Sequence, residues 1–360
     1  TRDELSDVMW DMQGELGTSH AYVVGGDEPW RPHYRTGLLG CDLEFDAATG
    51  RYRISRIHAG DTWLPGAASP LALPGSVARE GEWLLAIDGR ECGRAAHPWT
   101  LLERPGPAVT LTIASSPSGE GSRDVVVAPL AQEYRCRYRE WVRANQAIVD
   151  ERTGGRVGYI HVPDMQVAGL VEFHRAFLWQ ASREALIVDV RDNGGGNVSQ
   201  ILLEKLNRKL HGYVKARWAE PEPLPYNTVV GPMVALCNER TGSDGDIFCQ
   251  SWRQLGLGPL IGKRTWGGVI GIDRSRTLVD GGYTTQPEYA FWFRERGWEV
   301  EGNGVDPDIE VDVTPVDMAA DRDPQLQRGI AEILRLLEAR GPGKVDLPPP
   351  PNRAIGLRRG

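Results

Sequence analysis

Hydrophobic positions change period along this chain, and the changes divide it into stretches of different architecture. In the opening DELSDVMWDMQGELG, Leu5, Val8, Met9, Met12 and Leu16 recur at helical spacing. They predict an amphipathic helix ended by Gly17. From about Gly37 to Ala128 the pattern becomes short alternating runs broken by Gly and Pro. Residues 43–45, 52–57, 83–87, 109–113 and 125–127 read as strands, with a turn at Asp88-Gly89, the spacing of a small, mostly β module. A helical pattern with Tyr138, Trp141, Val142 and Ile148 covers 132–153. After Gly155, apolar runs at 157–162, 185–190 and 229–237 alternate with helical patterns at 167–179, 198–210 and 244–255. That rhythm predicts an α/β domain with a mixed, largely parallel sheet. Further strands are expected at 284–293 and 305–311, and a closing helix at 325–337. The expected divisions are a helical segment over 1–36, a β domain over 37–130, an α/β domain over 131–340, and a disordered Pro-rich, basic tail over 341–360.

Composition narrows the partners. Hydrophobic content of 41% and charged content of 25% are those of an ordinary globular protein. A net charge of −8 with no long basic run argues against a nucleic-acid partner. Five scattered cysteines form neither a disulfide framework nor a zinc spacing, and they suit a cytoplasmic location. No apolar run approaches the ~18–20 residues that span a bilayer, so no membrane partner is expected. No signal peptide opens the chain, although Thr1 before a charged helical segment fits a fragment of something longer.

Two strand-to-helix junctions carry the candidate chemistry. VDVRDNGGGNVSQ (188–200) feeds a buried strand into three glycines, Gly194, Gly195 and Gly196. With no Cβ in the way, backbone N–H groups there turn toward a ligand: a phosphate, a carboxylate or a developing oxyanion. The phosphate reading lacks support, because neither glycine-rich nucleotide fingerprint occurs. Near Gly262-Lys263 the spacing fails, with Leu257 at the first position and Arg264 at the last. VALCNERTGSDGDIF (234–248) places Ser243 between a strand and the next helix, where a serine is commonly an N-cap. The segment G-S-D-G-D flanks it with glycines and, with NGGG one β-α unit upstream, makes it a candidate nucleophile instead. A serine nucleophile needs a base, normally histidine. Of seven histidines, His33, His58 and His97 lie in loops or the β module, His161 in a strand, His174 mid-helix, and His211 at a helix end. His20 stands in a polar turn beside Ser19, but chemistry alone does not select it. No H-E-x-x-H occurs, and the acids around 306–308 lack a calcium-loop pattern, so neither metal nor cofactor is expected.

Family resemblance completes the picture. EGEWLLAIDGREC (80–92) resembles the strand-and-turn segment of PDZ domains, which implies a small PDZ-like domain that takes extended peptides. GELGTSHAY (14–22), GYIHVPDM (158–165), LIVDVRDNGGGNVSQ (186–200), TGSDGDIF (241–248), LIGKRTWGGVIGI (260–272), QPEYAFWF (286–293) and VEGNGVDPDIEV (300–311) resemble, in the same order, the C-terminal part of tricorn proteases. That architecture is also related to the C-terminal processing peptidases. The resemblance implies Ser243 as nucleophile, His20 as general base, Ser19 and Glu301 completing a tetrad, and Gly196 and Asp244 N–H groups as the oxyanion hole. It implies a serine endopeptidase acting on peptides or unfolded polypeptide, in a homo-oligomer such as a hexamer. A non-catalytic PDZ-type peptide binder is the alternative. The sequence departs from the family in two places. The β-propellers expected upstream are absent from this sequence. Val214 also stands where a well-known member has an aspartate that favours basic P1 side chains, so apolar or aromatic P1 residues are expected beside Gly194 and Gly195.

Overall fold

A computed structural model describes residues 1–27, 35–76, 78–272, 276–340, 347–349 and 351. The expectation of disorder over 341–360 falls almost wholly outside them. The chain divides into two compact units, one of residues 29–145 and one of residues 1–28 with 146–360.

The first unit is an antiparallel sheet in the order Cys41–Asp46, Arg51–Ile57, Trp83–Ile87, Val109–Ala114, Arg123–Val127, with Arg90–Glu91 paired to Trp83–Ile87. Alternation explains how it packs. Val109, Leu111 and Ile113 are buried, whereas the intervening Thr110 and Thr112 are only partly covered. Asp88 and Gly89, with φ of 49° and 72°, close the two-residue hairpin between Ile87 and Arg90. Aspartate and glycine tolerate that left-handed backbone, which matches the twist of the flanking strands.

The second unit holds a five-stranded sheet in the order Ile309–Glu310, Leu260–Gly262, Met233–Cys237, Ala185–Asp189, Val157–His161, with every ladder parallel. The last three strands are buried at every residue. Parallel strands covered on both faces by crossover helices need such continuous apolar runs. Helix Val167–Gln180 packs on Val157–His161, and helix Pro324–Arg340 packs on Met233–Cys237 and Ala185–Asp189. Phe173 and Phe177 stack at 4.9 Å, and Trp252 is fully buried with its Nε1–H donating to the Gly258 carbonyl at 2.8 Å.

Several elements are shorter than their patterns predict. The strand expected over 229–237 begins at Met233. Pro232 lacks an N–H, and Gly231 lies so close to its neighbour that a Cβ would fall 1.6 Å from the Glu184 carbonyl oxygen. Of 284–293, Tyr289 and Phe293 make isolated bridges to Gly271 and Gly297, while Thr284 lies in the strand Tyr283–Thr284, which pairs with Val23–Val24 and Arg276–Thr277. Pro287 follows, and 305–311 likewise reduces to Ile309–Glu310 after Pro307. The helix over 198–210 ends at Leu206. The opening helix is Arg2–Gly14, begun by a Thr1/Glu4 capping box and ending three residues before the expected Gly17. Leu5, Val8 and Met12 on it are exposed; it is anchored instead by Gln13 Nε2, which donates to the Thr285 carbonyl at 3.2 Å, and by the Arg2–Asp280 ion pair.

Trp252→Ala is expected to lower stability by about 3–5 kcal/mol, the usual cost of truncating a buried aromatic. Denaturant unfolding of the purified variant measures it, and a loss below about 1 kcal/mol would contradict the packing described.

Candidate active site

Ser243 occupies the N-cap position of helix Asp244–Gln254, but its side chain makes no capping hydrogen bond. Its backbone has φ 55° and ψ −121°, a region that costs an L residue on the order of 1–3 kcal/mol. The hydroxyl is therefore not engaged in ending the helix, and the turn that presents it is strained. Neighbouring bonds hold that turn. Thr241 Oγ1 donates to the Val190 carbonyl at 2.8 Å, and the Gly242 N–H donates to the Asn193 carbonyl at 2.8 Å.

Asn193 belongs to the glycine turn, so the two junctions are bonded directly. Its Nδ2 donates to the Val162 carbonyl at 2.8 Å, and its Oδ1 accepts from the Gly195 N–H at 2.9 Å. Gly195, at φ 91°, packs so tightly that a Cβ would lie 2.4 Å from the Ser243 Cβ. Gly196 is the next residue. A bridge to Met165 uses the Gly195 carbonyl and the Asn197 N–H, which leaves the Gly196 N–H out of the pairing. The Asp244 N–H, first in its helix, has no intrahelical acceptor. Among the described residues neither N–H has a hydrogen-bond partner. The Asp244 carboxylate is occupied elsewhere, accepting from Ser199 N at 2.9 Å and Ser199 Oγ at 2.5 Å, and burial raises its pKa. Gly194 faces open space.

The histidine side is a chain of hydrogen bonds with a fixed polarity. Glu301 accepts from Ser19 N at 2.6 Å, from Val269 N at 2.6 Å and from Ile270 N at 3.0 Å. Ser19 Oγ lies 3.0 Å from Glu301 Oε2 and 2.8 Å from His20 Nδ1. An ionised carboxylate only accepts, so the Ser19 hydroxyl gives its proton to Glu301 and takes the Nδ1–H of His20. That order assigns the lone pair of the imidazole to Nε2. Burial lowers the His20 pKa, and the charge of Glu301 opposes that shift. Thr285 fixes the backbone: its Oγ1 donates to the His20 carbonyl at 2.6 Å and accepts from Tyr22 N at 2.9 Å.

Trp266 spans the serine and histidine sides. A Cβ on Gly242 would lie 2.8 Å from its indole, and the same ring system sits 5.5 Å from the His20 ring. Among the described residues no hydrogen bond joins Ser243 to His20. Asp246, at the third helical position after Ser243, accepts from Thr265 Oγ1, from Gly267 N at 2.9 Å and from Gly268 N at 3.3 Å; burial pushes its carboxyl up to about 6.

Four of the other five described histidines have different tasks, and His211 shows only a backbone bond, its N–H donating to the Leu224 carbonyl at 2.8 Å. His58 pairs with Asp42 and Glu140, His97 caps a short helix, His161 faces the Arg191 carbonyl at 3.0 Å, and His174 faces the Leu170 carbonyl at 2.9 Å. His33 lies outside the described residues. Val214 ends the strand Gly212–Val214 on a separate hairpin with Glu222–Leu224 and is 39% exposed. Sequence reasoning missed Asn193, Asp246 and Trp266, although all three lie inside motifs it singled out. Only their long-range partners show what they do.

Known proteins resemble this chain over most of its length. Residues 156–311 match peptidase family S41, and residues 37–132 match the tricorn protease PDZ domain. Tricorn protease homolog 1 of Streptomyces coelicolor is 48% identical over 342 residues, covering 94% of this chain and 32% of that protein. The crystal structure of the tricorn protease superposes with a TM-score of 0.88 at 43% identity, over 93% of this chain and 33% of that one. A carboxyl-terminal-processing protease of Picosynechococcus is 24% identical over 74% of this chain and 64% of its own length. The chain thus spans about a third of the length of the tricorn relatives it matches. With a family S41 domain and a tricorn-type PDZ domain in one polypeptide, the chain belongs to the tricorn branch of the S41 peptidases and corresponds to the C-terminal part of those proteins.

Proposed function

We propose that this chain is a serine endopeptidase that cleaves peptides or unfolded polypeptides through an acyl-enzyme on Ser243. The observation that carries this reading is the hydrogen-bond polarity from Glu301 through Ser19 to His20, which leaves the imidazole lone pair on Nε2, together with a serine whose side chain does not cap its helix. In acylation Nε2 takes the Ser243 proton as Oγ attacks the scissile carbonyl. Glu301, acting through Ser19, stabilises the imidazolium that forms. The Gly196 and Asp244 N–H groups receive the oxyanion. Donors of this kind are worth ~2.7–4 kcal/mol each, because they are aimed before charge develops. The imidazolium then protonates the leaving amine, and a water activated by His20 hydrolyses the ester. Gly194 and Gly195 line the approach to Ser243, and Val214 favours an apolar or aromatic P1 side chain.

A fluorophosphonate probe is expected to label Ser243, and labelling should vanish in His20→Ala with the fold intact. Absence of labelling in the folded wild type would sink the proposal. The pH profile tests the relay. His20 must be neutral to act, and its pKa is lowered, so the acid limb of kcat/KM should fall below about 6.5, the ordinary histidine value. Glu301→Gln removes the charge that raises this pKa and should move the limb lower still, together with a loss of kcat. A limb above 6.5 in the wild type contradicts the arrangement. Fluorogenic peptides ending in Phe or Leu should be cleaved faster than those ending in Lys or Arg; the reverse order overturns the role given to Val214.

A further inference from the structure

We propose that Asp246 is a positioning residue that sets the spacing between the Ser243 turn and the Glu301–Ser19–His20 relay, by clamping segment 265–270 to the helix that follows the serine. The proposal rests on the catalytic reading of Ser243 and His20 given above. Ser243 and His20 lie 223 positions apart and are carried by elements with no shared ladder. Their separation has to be fixed by whatever touches both, and segment 265–270 does so at its two ends.

At its first end the segment is bound to the serine side. Trp266 N donates to the Thr241 carbonyl at 2.9 Å, while Thr265 Oγ1, Gly267 N and Gly268 N all donate to the Asp246 carboxylate. At its other end the segment supplies the Val269 and Ile270 N–H groups that hold Glu301, and Ile270 N also reaches Ser19 Oγ at 3.3 Å. The Trp266 side chain also packs on both Gly242 and His20. Hydrogen bonds tie down the floor beneath. Thr265 pairs with Val305 in both directions, and the Gly302 N–H donates to the Gly267 carbonyl at 2.8 Å.

Asp246 is fully buried, and its three described acceptor contacts all go to this one segment. A carboxylate in such a site is costly, because desolvation disfavours its charge. A cap on the serine helix alone would not require three donors from a loop some twenty residues downstream. Two carboxylate oxygens accepting several convergent N–H and O–H donors do require it, since an amide nitrogen at either position would face another donor. Side chains that hold reacting groups to within a fraction of an ångström act in this way on rate more than on binding.

Asp246→Asn tests the clamp in the full chain. Rates are normalised to active sites titrated with the fluorophosphonate, so that partial unfolding does not enter. The expected result is a fall in kcat of at least tenfold, with KM changed less than threefold, and at least tenfold faster hydrogen exchange at the Val269 and Ile270 amides. A folded Asp246→Asn with kcat per titrated site within twofold of wild type, or with unchanged exchange at those amides, overturns the proposal. If that variant does not fold, Thr265→Val decides by the same exchange and kcat criteria, with a several-fold effect expected and none refuting the clamp. Thr265→Ser, which restores the hydroxyl, should recover what Thr265→Val loses. Failure of the wild type to react with the probe would refute the catalytic reading alone, because the amide exchange still reports on the clamp.

Discussion

Parallel strand register is the constraint on which the site depends. Leu236 pairs with Asp189 and Ala235 with Val188, so Met233–Cys237 and Ala185–Asp189 reach the same edge of the sheet together. The glycine turn after one strand and the serine turn after the other are therefore neighbours. Their direct bond, from Gly242 N to the Asn193 carbonyl, follows from that adjacency. In parallel α/β sheets the carboxyl ends of neighbouring strands are where ligand sites form, for this topological reason. Here the same geometry leaves two N–H groups, at Gly196 and Asp244, beside one strained serine.

The histidine arrives by another route. It comes from a segment near the start of the chain, held by the short ladder of Val23–Val24 with Tyr283–Thr284 and by Thr285. A ladder two residues long adds little stability by itself. The relay is instead kept in order by side chains, with Glu301 gathering Ser19, Val269 and Ile270. Two sources of order thus meet at the site. One is the hydrogen-bonded sheet, and the other is a set of carboxylates, Glu301 and Asp246, each drawing several donors onto itself.

A buried carboxylate such as Asp246 serves geometry at a cost in stability. Asp246 sits with no exposure, and burial raises its pKa to about 6 while its hydrogen bonds only partly offset that desolvation. Ser243 carries backbone strain of its own. Strain at Ser243 and a buried carboxyl three residues after it mark where the fold gives up stability for arrangement.

Much of this was legible in the sequence. Continuous apolar runs between helical patterns identified the parallel sheet, because strands buried on both faces have few other ways to be written. Alternation identified the strands of the other unit, and glycines next to Ser243 made that serine a candidate. The base was not legible from chemistry: His20 was one of seven histidines until family resemblance selected it. Tertiary structure decided what pairing alone can decide. It showed that the Ser243 hydroxyl does not cap its helix, that the Gly196 N–H falls outside the bridge to Met165, and that Ser19 is bonded to both His20 and Glu301. It also exposed Asp246 and Trp266, whose partners lie about twenty residues or more away in the chain. Local sequence sets which backbone each segment adopts; only packing fixes which distant donors a carboxylate will meet.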